Sequence, residues 1–136
     1  MASDSWSIDF FREEDGTLPV LQWLNGLPEG IRGKVIARID LLKKGGPTLD
    51  FPYTSQIEGK LREARLRMGK TRYRVLYFFD ETRTAILLHG FTKQTASVEE
   101  SDKRIGRMRM AKHEAQLGKQ SPNLEKREPA KEGKRK

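Results

Sequence analysis

The sequence predicts an α+β domain of order β-α-α-β-β-β-α, with an antiparallel sheet packed by a helical hairpin and a C-terminal helix. Three observations carry this. Residues 60–68, 71–79 and 83–91 read as strands joined by Met68-Gly69-Lys70-Thr71 and Asp80-Glu81-Thr82-Arg83, links too short for a parallel crossover. Ahead of them, Ile31, Val35, Ile36, Ile39 and Leu42 recur at helical spacing. Behind them, Ser97-Val98-Glu99-Glu100 matches the S-x-x-E capping box that opens a helix.

Trp6-Ser7-Ile8-Asp9-Phe10-Phe11 alternates apolar and polar residues and reads as a first strand, broken by Glu13-Glu14-Asp15-Gly16. Thr17 is the expected N-cap of a short helix with Pro19 in its first turn, where a missing N–H costs nothing. Val20, Leu21 and Leu24 share one face of it, and Gly26-Leu27-Pro28 ends it. The second helix runs from about Pro28 to Lys44; Lys43 and Lys44 complement its dipole and Gly45-Gly46-Pro47 stops it. Residues 47–59 show no period and read as a loop. The third of the meander strands is nearly all apolar, as suits a strand covered on both faces. In the last helix Val98, Ile105, Met108 and Ala115 form a thin apolar stripe among many cations.

Charge is unevenly placed along the 136 residues. Residues 1–56 hold 6 Lys/Arg against 8 Asp/Glu, whereas residues 57–136 hold 21 against 11. Partner binding is therefore expected in the second half, toward nucleic acid, an acidic protein or an anionic membrane surface. Residues 118–136 carry 7 Lys/Arg against 3 Asp/Glu with little apolar content, so the chain divides into a domain at 1–117 and a basic tail expected to be disordered. There is no cysteine, and His89 and His113 are the two histidines, which argues against thiolate chemistry and a histidine-rich metal site. No apolar run has the length of a membrane span and no signal-peptide h-region is present, so a cytoplasmic protein is expected.

The strand runs carry the sharper signal. Arg65 and Arg67 share one strand face, as do Arg72 and Arg74, which places guanidinium groups on ordered backbone. Such a surface suits phosphates, because the guanidinium fork binds two oxygens at once.

Three local patterns resemble a known family. Gly59-Lys60-Leu61-Arg62-Glu63-Ala64-Arg65 is similar to the "G-L-x-E-L-R" strand of the RelE/HigB toxin superfamily. Tyr73-Arg74-Val75-Leu76-Tyr77 resembles its "Y-R-V-x-Y", and Leu88-His89-Gly90-Phe91-Thr92-Lys93-Gln94-Thr95 its "L-H-G-F-x-K-K-T", with the order and spacing of the phage-derived HigB-like branch. The resemblance spans about Ile8 to Gln116. It implies a RelE-like fold and the toxin of a type II toxin–antitoxin system: a ribosome-dependent, metal-independent mRNA endoribonuclease. Attack by the ribose 2′-OH on the adjacent phosphate would cleave the message and inhibit translation. It further implies a cognate antitoxin of helix-turn-helix type, with DNA reached only through that complex. No cofactor is expected.

Carried over residue by residue, Arg65, Arg74 and Lys93 fall where the superfamily places basic catalytic or RNA-contacting groups. Ala64 stands where leucine is usual, Gln94 replaces a lysine, and no tyrosine follows in the last helix. Chemically, Arg65 and Arg74 are phosphate clamps, since arginine cannot lose its proton. Lys93 clamps too, or serves as base if cationic neighbours depress its pKa. His89 has the unperturbed pKa for proton transfer, although its apolar strand equally suits a structural histidine. Glu63 is the expected ion-pair partner of an arginine on the neighbouring strand. Lys60, Arg62, Arg67, Lys70 and Arg72 complete the expected RNA-binding set. Two alternatives stand beside the nuclease: a non-catalytic RNA- or protein-binding module, and a detoxified co-repressor working with its antitoxin.

Overall fold

The computed structural model describes residues 6–95 and 97–120. Its elements are β1 (Ser7–Phe10), α1 (Pro19–Asn25), α2 (Glu29–Gly45), a 3-10 turn at Gly46–Thr48, β2 (Thr54–Glu58), β3 (Leu61–Met68), β4 (Thr71–Phe79), β5 (Thr84–Lys93) and α3 (Glu100–Gln120). The strands form one sheet in the order β1-β5-β4-β3-β2. The β3-β4-β5 meander is antiparallel as expected, and β1 runs parallel to β5 with Ile8 opposite Ala85.

Period-two alternation divides the core. Ala64, Val75, Tyr77 and Leu87 face the α1–α2 hairpin and pack on Val20, Leu24, Val35, Ile39 and Leu42. Leu61, Leu76, Phe78, Ile86 and Leu88 lie in a second cluster with Phe11, joined by Met110 of α3. β4 and β5 are thus covered on both faces, which is why β5 reads as an almost unbroken apolar run.

The structure departs from the sequence reading in four places. Residues 54–58, read as loop, form the edge strand β2, paired to β3 through Thr54–Ala64 and Gln56–Arg62. Thr-Ser-Gln-Ile-Glu has too few apolar residues to announce a strand, and β3 supplies the pairing instead. The N-cap of α1 is Leu18; Thr17 is held instead by Asp15, whose Oδ1 accepts from its N–H at 3.0 Å and its hydroxyl at 2.9 Å. Helix α3 starts at Glu100, with the Lys103 N–H bonded to the Glu99 carbonyl, so the Ser97 capping box does not open it.

The fourth departure is the inner face of α3. Met108 is 47% exposed, and the residues turned to the sheet include Asp102, Gly106, Arg109 and His113 beside Met110. Gly106 sits against Leu61 and Leu76, where a Cβ would lie 3.0 Å from Leu76 Cδ1. Each polar neighbour of that glycine is paired: Asp102 with His89, Arg109 with the Leu88 carbonyl, His113 with Asp80. A helix that docks largely through hydrogen bonds, with Met110 its apolar contact to the core cluster, leaves little apolar stripe to read. It extends to Gln120, and residues 121–136 of the expected basic tail lie outside the described residues. No helix among the described residues is long and apolar enough to cross a membrane.

The glycine of His89-Gly90-Phe91 is a close-approach site: a Cβ there would stand 2.3 Å from the Trp23 ring of α1. Gly90→Ala must push the indole, and thus α1, off β5. The expected cost is about 1–3 kcal/mol, read as a lower urea midpoint with an unchanged m-value.

Candidate RNA-binding groove

The register of β3 and β4 brings the arginines together. Arg65 stands opposite Arg74 and Arg67 opposite Arg72, while Arg72 stands opposite Lys93 of β5. Side chains directly opposite share a face, so this face carries cations on successive rungs. Helix α3 covers the Leu76 end of the face and leaves the arginine rungs open. There a groove of about 390 Å³ is floored by Arg65, Arg67, Arg72 and Arg74. Its rim is formed by Arg38 of α2 and by Phe51 and Tyr53 from the segment before β2.

Like charges directly opposite repel, and Glu63 compensates them in part. Its carboxylate accepts from Arg74 Nη1 at 2.8 Å, lies 3.4 Å from Arg65 Nε and accepts from the Ser55 hydroxyl at 2.6 Å. Glu63 is 4% exposed and Arg74 3%. The expected ion pair across the strands is therefore present and buried. Arg67 donates from Nε to the Gly69 carbonyl at 2.9 Å, and Arg72 from Nη1 to the Gln94 carbonyl at 3.0 Å. The Nε atoms of Arg65 and Arg74 are buried without a hydrogen bond among the described residues. Burial, and then the charge of Arg74, pull the Arg65 pKa below its ordinary value. An anion in the groove would relieve that strain on the charged form.

The remaining sequence-predicted residues fall into three places. His89 and Lys93 share the arginine face at the start of α3. His89 Nε2 is 2.9 Å from Asp102 Oδ1, and its ring stacks on Phe91 at 5.1 Å. Lys93 Nζ lies 2.9 Å from Glu99 and 3.5 Å from Asp102. Its hydrogen bond to Glu99 raises its pKa, the opposite of the depression a lysine base requires. Burial lowers the His89 pKa against the opposing pull of Asp102, so the ring is neutral at pH 7. A neutral ring facing a carboxylate donates from Nε2, which leaves Nδ1 as the acceptor.

Lys60 lies at the far end of β3, outside the groove, 2.5 Å from Glu114 of α3. Arg62 points to the opposite face of the sheet, where it donates from Nη2 to the Thr54 hydroxyl at 3.1 Å and from Nε to the Tyr77 hydroxyl at 3.3 Å. Lys70 is exposed in the β3–β4 turn, beside the open end of the groove. The sequence reading overlooked Arg38, Phe51, Tyr53 and Asp102. Phe51-Pro52-Tyr53 left a signal, paired aromatics in a segment with no period; Arg38 and Asp102 left none.

A domain of this topology with an arginine-lined sheet face defines a class, and comparison names it: residues 22–111 match the family model of the phage-derived Gp49-like proteins. The chain belongs to that family, the HigB-like branch that the strand motifs resemble. It is similar to "Putative toxin HigB2" of Mycobacterium tuberculosis, with 31% identity over 133 residues, 92% of this chain and 62% of that protein. It is similar also to "Putative toxin HigB3" of the same organism, 36% identical over 76 residues, 54% of this chain and 67% of that protein. The chain thus spans about 62% of the length of the first of these relatives.

Proposed function

We infer that this chain is the toxin of a toxin–antitoxin pair and acts as a ribosome-dependent mRNA endoribonuclease. The observation that carries the reading is the pair of arginine rungs, Arg65–Arg74 and Arg67–Arg72, with one buried carboxylate, Glu63, among them. That surplus of positive charge sits in a groove, where it favours the extra negative charge that builds on phosphorus during 2′-OH attack. The names of the relatives support the toxin role, and a toxin of this kind implies a cognate antitoxin.

The side chains divide the work. Arg65, Arg67 and Arg72 grip the phosphate. Arg74, buried against Glu63, fixes the rung that aims Arg65. Lys93 is held protonated and adds charge. His89 is the candidate acceptor of the 2′-OH proton, through Nδ1; it stands diagonally from Arg74 on the same face, about 7–8 Å away by strand geometry, on the Leu76 rung beside α3 and outside the groove lining. A base tied to Asp102 and partly buried is slow unless the substrate is brought to it. The ribosome would supply that in-line placement.

Primer extension on a translated message tests this. New 5′ ends should appear only when ribosomes translate, and with EDTA-treated protein as with untreated. Salt-sensitive RNA binding without cleavage on translating ribosomes would instead assign the groove to a non-catalytic binding module.

A further inference from the structure

Phe51 and Tyr53 are exposed at 69% and 42%, unusual for aromatic rings beside so much charge. Each has a guanidinium over its ring: Arg65 lies 4.5 Å from the Phe51 centroid and Arg38 5.0 Å from that of Tyr53. Arg38 also donates to the Arg65 carbonyl, which ties the rim to the floor of the groove.

The segment bearing the rings is held firmly. Asp50 Oδ1 accepts from the Phe51 N–H at 2.8 Å, and the Asp50 carbonyl accepts from the Tyr53 N–H at 2.9 Å. The Tyr53 carbonyl accepts from the Arg65 N–H at 2.9 Å. Thr54, 1% exposed, donates its hydroxyl to the Leu49 carbonyl at 2.7 Å, and Arg62 braces that hydroxyl from the far face of the sheet. Arg62 is therefore a positioning residue for the rim.

We propose that Phe51 and Tyr53 form a base-stacking platform that makes the arginine groove selective for single-stranded RNA. This rests on the RNA reading of the groove and adds the form of RNA it takes. A ring backed by a cation and as exposed as these offers a π-face to a base. The neighbouring arginines take the phosphates of the same nucleotides. Bases in a duplex are already paired and stacked, and they show only their edges, so a double strand can use the arginines alone. An apolar protein segment fits less well, because it would strip water from Arg38, Arg65, Arg67 and Arg72 without replacing it by negative charge.

The test is fluorescence anisotropy with an end-labelled 2′-O-methyl oligoribonucleotide, which lacks the attacking hydroxyl and is not cut. Three probes are compared: the single strand, the same strand with abasic sites, and its duplex. Phe51→Ala is expected to weaken single-strand binding about tenfold, with the salt slope unchanged. Phe51→Trp should keep it, and abasic and duplex probes should bind Phe51→Ala as they bind the unaltered protein. Arg72→Ala serves as the control for the groove and should weaken all three probes, with the salt slope lower by about one. If Phe51→Ala binds every probe as before, or weakens all three equally, the platform is refuted while the groove stands. If Arg72→Ala also leaves every probe unchanged, the RNA reading falls and the platform falls with it.

Discussion

Replacing Glu63 by alanine is expected to destabilise the protein by about 3–5 kcal/mol, the largest loss expected of any single substitution along the groove. The cost lies in what remains behind. Arg74 is 3% exposed, its Nη1 loses its acceptor, and its Nε already has none. A guanidinium in that position is almost shut off from water and cannot lose its proton. Arg65 suffers less, since its side chain is 23% exposed and can swing outward. Glu63→Gln, which keeps the volume and the Ser55 bond, should lie between alanine and the unaltered protein. The discriminating variant is the double Glu63→Leu, Arg74→Met. Once both charges are gone the desolvation penalty is gone too, and most of the stability should return. Urea midpoints measure this; a double variant as unstable as Glu63→Ala would refute the buried-pair account.

Arg65→Ala is expected to have the largest effect on cleavage, lowering the rate about 10²- to 10³-fold while costing about 1 kcal/mol or less of stability. The Arg65 charge is poorly accommodated in the groove, through burial and the nearby Arg74. A phosphorane-like transition state offers it the most. Arg65→Lys keeps a cation but not the fork and should recover only part of the rate. The two readouts are primer extension on translated mRNA and the urea midpoint of the same preparations. Full cleavage by Arg65→Ala would remove Arg65 from the site. Arg74→Ala cannot make the same point, because loss of activity there would follow from the stranded Glu63 as readily as from a lost phosphate contact.

Those two residues show how the sequence and the fold share the explanation. Alternation alone placed Arg65 with Arg67 and Arg72 with Arg74, because a strand has a period of two and short links leave no topology but a meander. The Glu63 ion pair followed from the same geometry, since a lone carboxylate between arginine rungs has few other partners. The hairpin was legible because α2 has an apolar face at helical spacing. The inner face of α3 was not, because it is polar and docks through Asp102, Arg109 and His113, whose partners lie 13 to 33 residues away. β2 was hidden for a related reason: its strand character comes from pairing to β3, not from its own residues.

By itself, the sequence determined that Arg65 and Arg67 would share a face of one meander strand and Arg72 and Arg74 a face of the next, and it pointed to the HigB-like family through motifs spread over three strands. That information is local, written in side-chain alternation and turn length. Only the tertiary structure decided which cations belong to the groove. It sent Arg62 to the far face to brace Thr54, put Lys60 beside α3, held Lys93 protonated against Glu99 and buried Arg74 against Glu63. It also brought Phe51 and Tyr53 to the rim. A basic residue's role depends on which carboxylate or ring stands within about 4–6 Å of it, and that neighbour is chosen by chain crossings that no single segment encodes.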